Sequence, residues 1–391
     1  MVLTSSTTVP QVEDIQQTVF VLFGSTGDLA QRKLLPALCA LFQKKLLPQG
    51  LKVFAYSRRH WGSEEYREFI RPALVAFPAE VVEQFLQTVQ HIEGVFDIGA
   101  GFEKLKEKIG SADALFYLAV QPELCAPIIE QLGNAGLQGK LLIEKPFGRD
   151  LASAQELEHI AEQYFLPEQI FRVDHYLGKD GLAAMRVYIQ AHPEFAARLN
   201  HEYVATVAVR IFETIGVEGR GAFYDSVGAL RDVGQSHLLQ MLGTLVPIAS
   251  LAPPAEVVRG QYQGYVDEPN VRVASQAETY FNITTQSTDP RWCGVPILLE
   301  AGKALAQKKN EIEINFKDGS HLPAQAGKVF PMDPDSVDRG HQTIIEAALR
   351  GDQSFFVSLD EVLASWRFVG GVRERFATVP LTIYTKGASK V

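Results

Sequence analysis

The stretch 19-VFVLFGSTGDLAQRKLLPAL-38 restricts this chain more than any other. An apolar run of strand length empties into two glycines three residues apart, and a helical pattern follows at once. A strand that turns directly into a helix belongs to a βαβ unit, and the unpaired N–H groups at the helix start, with the helix dipole, form a seat for a phosphate. A side chain at Gly24 or Gly27 would obstruct that approach, and Ala30 is the small residue where helix meets sheet. This is one variant of the dinucleotide fingerprint. A plain tight turn needs the same glycines, so the reading leans on the βαβ setting. Asp28 reads as a structural residue that bonds first-turn N–H groups and opposes the dipole.

The alternation continues from residue 18 to about 172. Strand TVFVLF is followed by a helix over 29–45, strand LKVFAYS and a helical segment SEEYREFIRPALVAF. Then come strand ALFYLAV, a helix over 122–135, strand KLLIEK, helix LASAQELEHIAEQY and strand QIFRVDHY. Strands and helices in turn specify a parallel sheet with helices on its faces, so this part is a doubly wound, Rossmann-like α/β domain. Beyond about residue 175 the texture changes. A helical stretch GKDGLAAMRVYIQAH precedes alternating runs such as 203-YVATVAVRIFE-213, 277-AETYFNITTQ-286 and 311-EIEINF-316. These predict half-buried antiparallel strands, with 228-GALRDVGQSHLLQMLGTLV-246 as a helix packed on them. The expected division is a flexible lead-in 1–17, a dinucleotide-binding domain 18–172 and an α+β domain 173–391 with a mainly antiparallel sheet.

The end of the second strand discriminates between cofactors. NAD enzymes usually carry a carboxylate there for the ribose hydroxyls, whereas this chain has Ser57-Arg58-Arg59. A carboxylate would repel a 2′-phosphate and a guanidinium can grip it bidentately, which favours NADP and leaves use of NAD open. The net charge of −9 argues against a nucleic-acid surface. Three scattered cysteines, Cys39, Cys125 and Cys293, fit neither a disulfide framework nor a metal site and suit a reducing cytoplasm. No pair of histidines shows the HExxH ligand spacing, so no metal is expected. The start of the chain does not read as a signal peptide, and no apolar run has the length of a membrane span.

Several segments together resemble the glucose-6-phosphate dehydrogenase family, in its order and approximate spacing. They are GSTGDLAQRKLLPAL, AYSRRHW, IEKPFGRD, RVDHYLGKD, EGRGAFYDSVGALRDVGQSHLLQ and RWCGVPILLEAGKAL, with TIIEAALRGDQSFFVSLDEVLASWRFV similar to the family's late helices. The resemblance implies NADP-dependent oxidation of D-glucose 6-phosphate. Removing hydride from C1 requires a base for the hydroxyl proton, a task suited to a histidine, whose ordinary pKa lies near neutrality. His237 falls where the family keeps this base, and Asp174 where it keeps the carboxylate that orients it. His175, Tyr176 and Lys179 match the family's grip on the sugar phosphate; Glu213, Asp232 and Lys303 match its sugar-binding positions; Lys145 matches the lysine that bridges sugar and nicotinamide. Gly24, Ser25, Thr26, Gly27, Asp28 and Leu29 form the cofactor turn, joined by Lys33, Arg58 and Lys145.

The chain departs from the family at three places. Ser236 stands beside the implied base where an asparagine is usual, and Glu300 replaces a common arginine, bringing negative charge near Lys303. The chain is also short, chiefly between Phe316 and Asp338, where the family extends its large sheet. Without that arginine and that segment, no structural second NADP and an altered oligomer are expected. Two rivals stay open: a dehydrogenase of another hexose or hexose phosphate, and a paralogue that binds NADP without turnover.

Overall fold

The computed structural model describes residues 18–319, 329–331 and 339–391. The lead-in 1–17 and most of the shortened stretch between Phe316 and Asp338 lie outside them. The chain forms two compact units. One holds residues up to Gly178 and takes back Arg339–Val357; the other holds Lys179–Asp338 and Ser358–Val391.

The first unit is built on six parallel strands, β1 Thr18–Phe23, β2 Lys52–Ser57, β3 Val89–Glu93, β4 Asp113–Leu118, β5 Gly139–Glu144 and β6 Ile170–Val173. Their order across the sheet is β3-β2-β1-β4-β5-β6, the doubly wound arrangement expected from the alternation. β1 is buried along its whole length, which is why TVFVLF reads as a continuous apolar run rather than an alternating one. β3 and its flanking helices Ala79–Thr88 and Ala100–Ile109 are additions to the predicted elements. QIFRVDHY ends as a strand at Val173, and His175–Gly178 turns as a short 3₁₀ helix.

The segment taken back from beyond residue 338 completes this unit's core. Helix Gly340–Arg350 inserts Ile344, Ile345 and Ala348 into the apolar cluster with Leu35, Leu38 and Leu41 of helix Leu35–Gln43. Its last carbonyls, of Ala348 and Leu349, accept from Lys140 Nζ at 2.8 Å each. This satisfies groups that a helix C-terminus leaves without partners.

The second unit carries seven strands, β7 Val204–Phe212, β8 Glu256–Tyr262, β9 Tyr280–Thr285, β10 Ile297–Gly302, β11 Lys309–Phe316, β12 Val329–Pro331 and β13 Leu381–Tyr384. Their order is β12-β11-β7-β10-β9-β8-β13. The sheet is mixed: β7 with β10 and β8 with β13 run parallel, and the remaining neighbours are antiparallel. Val207, Val209, Ile211, Ile297, Leu299, Ile312 and Ile314 are buried, on the face where helix Leu359–Phe376 and the helical segment from Gly221 pack. Arg210 is set in register between Glu300 on β10 and Glu311 on β11. The helix predicted over 228–246 is broken. Gly221–Ala229 kinks at Gly228 (φ 71°, ψ 171°), Leu230–Leu238 winds as a π-helix, and Leu239–Gly243 returns to α.

Candidate active site

In the first unit the residues singled out from the sequence lie at or beyond the C-terminal ends of parallel strands, where open α/β sheets build ligand sites. β1 ends at Phe23, and Gly24 follows at φ +74°. A Cβ there would lie 2.2 Å from the carbonyl oxygen of Ala119, just past β4. The strand order reverses between β1 and β4, so the fold requires this glycine before any ligand does. Gly27 N–H donates to Gly24 O at 2.9 Å and closes the turn. Ser25 is fully buried; its hydroxyl donates to Tyr56 O at 3.2 Å and its carbonyl accepts from Tyr66 Oη at 2.9 Å. Thr26 O accepts from Gln31 Nε2 at 3.0 Å, which ties turn to helix.

Asp28 differs from expectation. It already lies within the helix, its carboxylate is 81% exposed, and its contact is Arg32 one turn on at 3.5 Å. Its favourable opposition to the dipole needs no hydrogen bond to first-turn N–H groups. Leu29 is half-buried and Lys33 exposed on the same first turns. Beyond β2, Arg58 is exposed with no ion pair or hydrogen bond among the described residues, while Arg59 lies over the Trp61 ring, 5.3 Å from its centroid. A glycine turn at a helix start and a guanidinium without a partner among the described residues at the next strand end fit a dinucleotide.

Lys145 follows β5, joined to Pro146 by a cis peptide. Beyond β6, Asp174 is 1% exposed and organises the turn that follows. Its Oδ1 accepts from Tyr176 N–H and its carbonyl from Leu177 N–H, both at 3.0 Å. The turn buries Tyr176 and leaves the His175 ring stacked on His341, centroids 4.9 Å apart and planes 13° from parallel. His341 comes from the segment that returns to this unit. Its Nε2 is 3.7 Å from Glu144 Oε1, which accepts from Tyr117 Oη at 2.5 Å. Burial, with Glu144 beside it, pushes the Tyr117 phenol well above its ordinary value, so it stays a donor. His341, Glu144 and Tyr117 are additions to the residues found from sequence. Glu144 adjoins Lys145 in the quoted EKPFGRD segment, whereas no local signal places His341 beside His175.

The second unit holds the other predicted residues. β7 and β10 are parallel neighbours with Phe212 opposite Gly302. The next residue of each, Glu213 and Lys303, therefore emerges at the same sheet end, and Lys303 Nζ bonds to Glu213 Oε2. Lys303 is 2% exposed, and its Nζ sits 5.3 Å from the Tyr224 ring centroid. Tyr224, missed from sequence although it stands in the quoted GAFYDS run, has a fully buried hydroxyl with no partner among the described residues. Burial raises its pKa well above the ordinary range, with Asp232 and Glu213 adding to the effect. A buried cation, carboxylates and a phenol together suit the hydroxyls of a sugar.

Asp232 and His237 both lie on the π-wound Leu230–Leu238. In a π-helix residues five apart are joined by the backbone bond, so the winding brings these two onto one side of the segment. The segment starts from the Gly228 kink, and the half-buried Glu278 receives its opening N–H groups. Glu278 O accepts from Ala229 N–H and Glu278 Oε1 from Leu230 N–H, at 2.9 Å each. Ser236 donates to Asp232 O at 3.1 Å, so its hydroxyl is engaged by its own helix. Lys179 is the residue before helix Asp180–Ala191. Glu300 uses its carboxylate on Arg210 Nε at 3.2 Å and Tyr280 Oη at 2.6 Å, so the negative charge expected beside Lys303 is already answered.

The chain is similar to known proteins over most of its length. Residues 21–183 match the family model described as glucose-6-phosphate dehydrogenase, NAD binding domain, and 190–250 with 244–337 match its C-terminal domain. The chain is 32% identical over 431 residues to glucose-6-phosphate 1-dehydrogenase 5, cytoplasmic, of Arabidopsis thaliana, covering 88% of this chain and 83% of the relative. It is 30% identical to the glucose-6-phosphate 1-dehydrogenase of Emericella nidulans, over 91% and 85% of the two chains. A solved structure described as glucose-6-phosphate dehydrogenase in complex with its substrate glucose-6-phosphate superposes with a TM-score of 0.87 at 28% identity, over 96% of each chain.

Proposed function

The chain belongs to the glucose-6-phosphate dehydrogenase family, and from that premise we propose how its residues divide the oxidation of D-glucose 6-phosphate to 6-phospho-D-glucono-1,5-lactone with NADP. The protein is an oxidoreductase acting on a CH–OH group. The observation that carries the substrate is the superposition, over 96% of the chain, on a family member solved with glucose 6-phosphate.

His237 takes the C1 hydroxyl proton, and Asp174 is the carboxylate that steadies its imidazolium. His175, Tyr176 and Lys179 hold the phosphate; Glu213, Asp232 and Lys303 hold the sugar hydroxyls; Lys145 serves sugar and cofactor. NADP lies on Gly24, Ser25, Thr26, Gly27, Asp28 and Leu29, with Lys33 beside it and Arg58 on its 2′-phosphate. When bound, the nicotinamide accepts the hydride released from C1. We assign cofactor binding to residues 18–172 and sugar binding and assembly to 173–391, in the cytoplasm, as the first oxidative step of the pentose phosphate pathway. No metal takes part.

Purified protein with glucose 6-phosphate and NADP should produce reduced nicotinamide, and His237→Ala should lower kcat about 100- to 10,000-fold. Equal activity of the two proteins would remove His237 from the reaction. A panel of phosphorylated and free hexoses should show strong preference for the 6-phosphate, lost in Lys179→Ala. Calorimetry should find one NADP per chain, because Glu300 stands where a second NADP would need a cation.

A further inference from the structure

The loop that carries Arg58 is closed by one imidazole. His91, on β3, is 8% exposed, and its two ring nitrogens reach the two ends of the loop 57–61. Nδ1 is 2.9 Å from the carbonyl oxygen of Trp61, and Nε2 is 2.9 Å from Ser57 Oγ. A carbonyl only accepts, so Nδ1 carries the proton, Nε2 is the acceptor and the Ser57 hydroxyl donates to it. Ser57 Oγ lies 3.4 Å from the amide nitrogen of Arg59 and accepts from it. The chain from Ser57 to Trp61 is thereby pinned at both ends, with Arg58 at its exposed crest and Arg59 drawn aside onto the Trp61 ring.

The same histidine reaches the glycine turn. Its ring stacks on Tyr66, with centroids 5.3 Å apart and planes at 23°, and Tyr66 Oη donates to Ser25 O at 2.9 Å. His91 N–H donates to Ser63 Oγ at 3.1 Å, at the start of the helix Ser63–Ile70 that carries Tyr66. Two parts of the proposed cofactor seat, the turn after β1 and the loop after β2, are thus braced by one stacked pair.

We propose that His91 is a positioning residue that sets the preference for a 2′-phosphorylated cofactor, by holding Ser57 and Trp61 so that Arg58 meets the phosphate from a fixed backbone. This rests on the reading of Arg58 as the 2′-phosphate residue. A long exposed side chain on a loose loop loses more freedom when it grips an anion than one on a fixed loop, so pinning the loop raises affinity for NADP. NAD lacks the phosphate and gains little. The brace therefore acts on the ratio of the two affinities, which a residue serving only stability would leave unchanged.

The test is calorimetry of NADP and NAD on the full chain, with steady-state KM as a second readout. His91→Phe keeps a stacking ring and loses both ring hydrogen bonds; Ser57→Ala removes one of them and keeps the imidazole. Each should weaken NADP binding relative to NAD, by about tenfold for His91→Phe and about threefold for Ser57→Ala, with kcat for NAD unchanged. His91→Gln, which keeps a donor and an acceptor, should recover part of the ratio. An unchanged ratio in both His91→Phe and Ser57→Ala, while Arg58→Ala collapses it, overturns the brace. An unchanged ratio in Arg58→Ala overturns the reading of Arg58 itself, and the brace with it.

Discussion

Arg172 and Glu158 form an ion pair whose side chains are 8% and 9% exposed, with Arg172 Nε 3.2 Å from Glu158 Oε2. Burying two charges costs several kcal/mol that their attraction only balances, so removing one partner is far worse than removing both. Glu158→Leu should destabilise by about 3–5 kcal/mol, and adding Arg172→Met should restore most of it, read from denaturant midpoints. Burial also holds the His91 imidazole below its ordinary value, against the pull of the Trp61 carbonyl and of the Glu93 and Glu65 carboxylates. The folded chain keeps His91 neutral while the unfolded chain protonates it near pH 6.5. This contribution is therefore full above about pH 6.5 and declines as pH falls toward the depressed folded value. His91→Phe should lose that decline in urea midpoints taken from about pH 7 to about pH 5. At this scale, the candidate site residues that the sequence offers stand in contiguous motifs, such as the DHYLGK run. Residues packed against those, such as His91 and His341, stayed hidden because their partners lie tens or hundreds of positions away.

Helical periodicity in 228–246 revealed that the segment winds, without revealing how. Apolar spacing of three and four residues is shared by α- and π-segments once a few residues are added, so the π-winding of Leu230–Leu238 has no separate signal. The kink at Gly228 is set from outside, since a Cβ there would lie 2.4 Å from Glu278 Oε1, and the backbone is at φ +71°. Gly228→Ala should therefore cost about 2–4 kcal/mol and lower kcat as well, because it displaces the start of the segment that holds Asp232 and His237. An unchanged melting midpoint would show that the kink can relax without loss. The short strands overlooked in the sequence have a related cause. β3, VQHIE, alternates weakly at a sheet edge, and β10 is a brief apolar run between glycines whose parallel partner is far away in sequence.

At the scale of the whole molecule, two units were legible because apolar runs interleaved with helical patterns give way to alternating strands near residue 175. The return of Arg339–Val357 to the first unit was not legible, since an amphipathic helix carries no mark of which sheet it will cover. A fragment of residues 1–178 should expose apolar surface and bind a hydrophobic dye, and appending 339–357 through a flexible linker should quench that signal. Equal dye binding by both fragments would deny the segment its place in the core.

The same arrangement has a consequence on the ribosome. Ile344, Ile345 and Ala348 are core residues of a unit whose other parts emerge first. At about 5–20 residues per second, on the order of ten seconds or more separates the two. During that interval Leu35, Leu38 and Leu41 lack these core partners. A premature stop anywhere before Gly340 leaves both units unfinished rather than one.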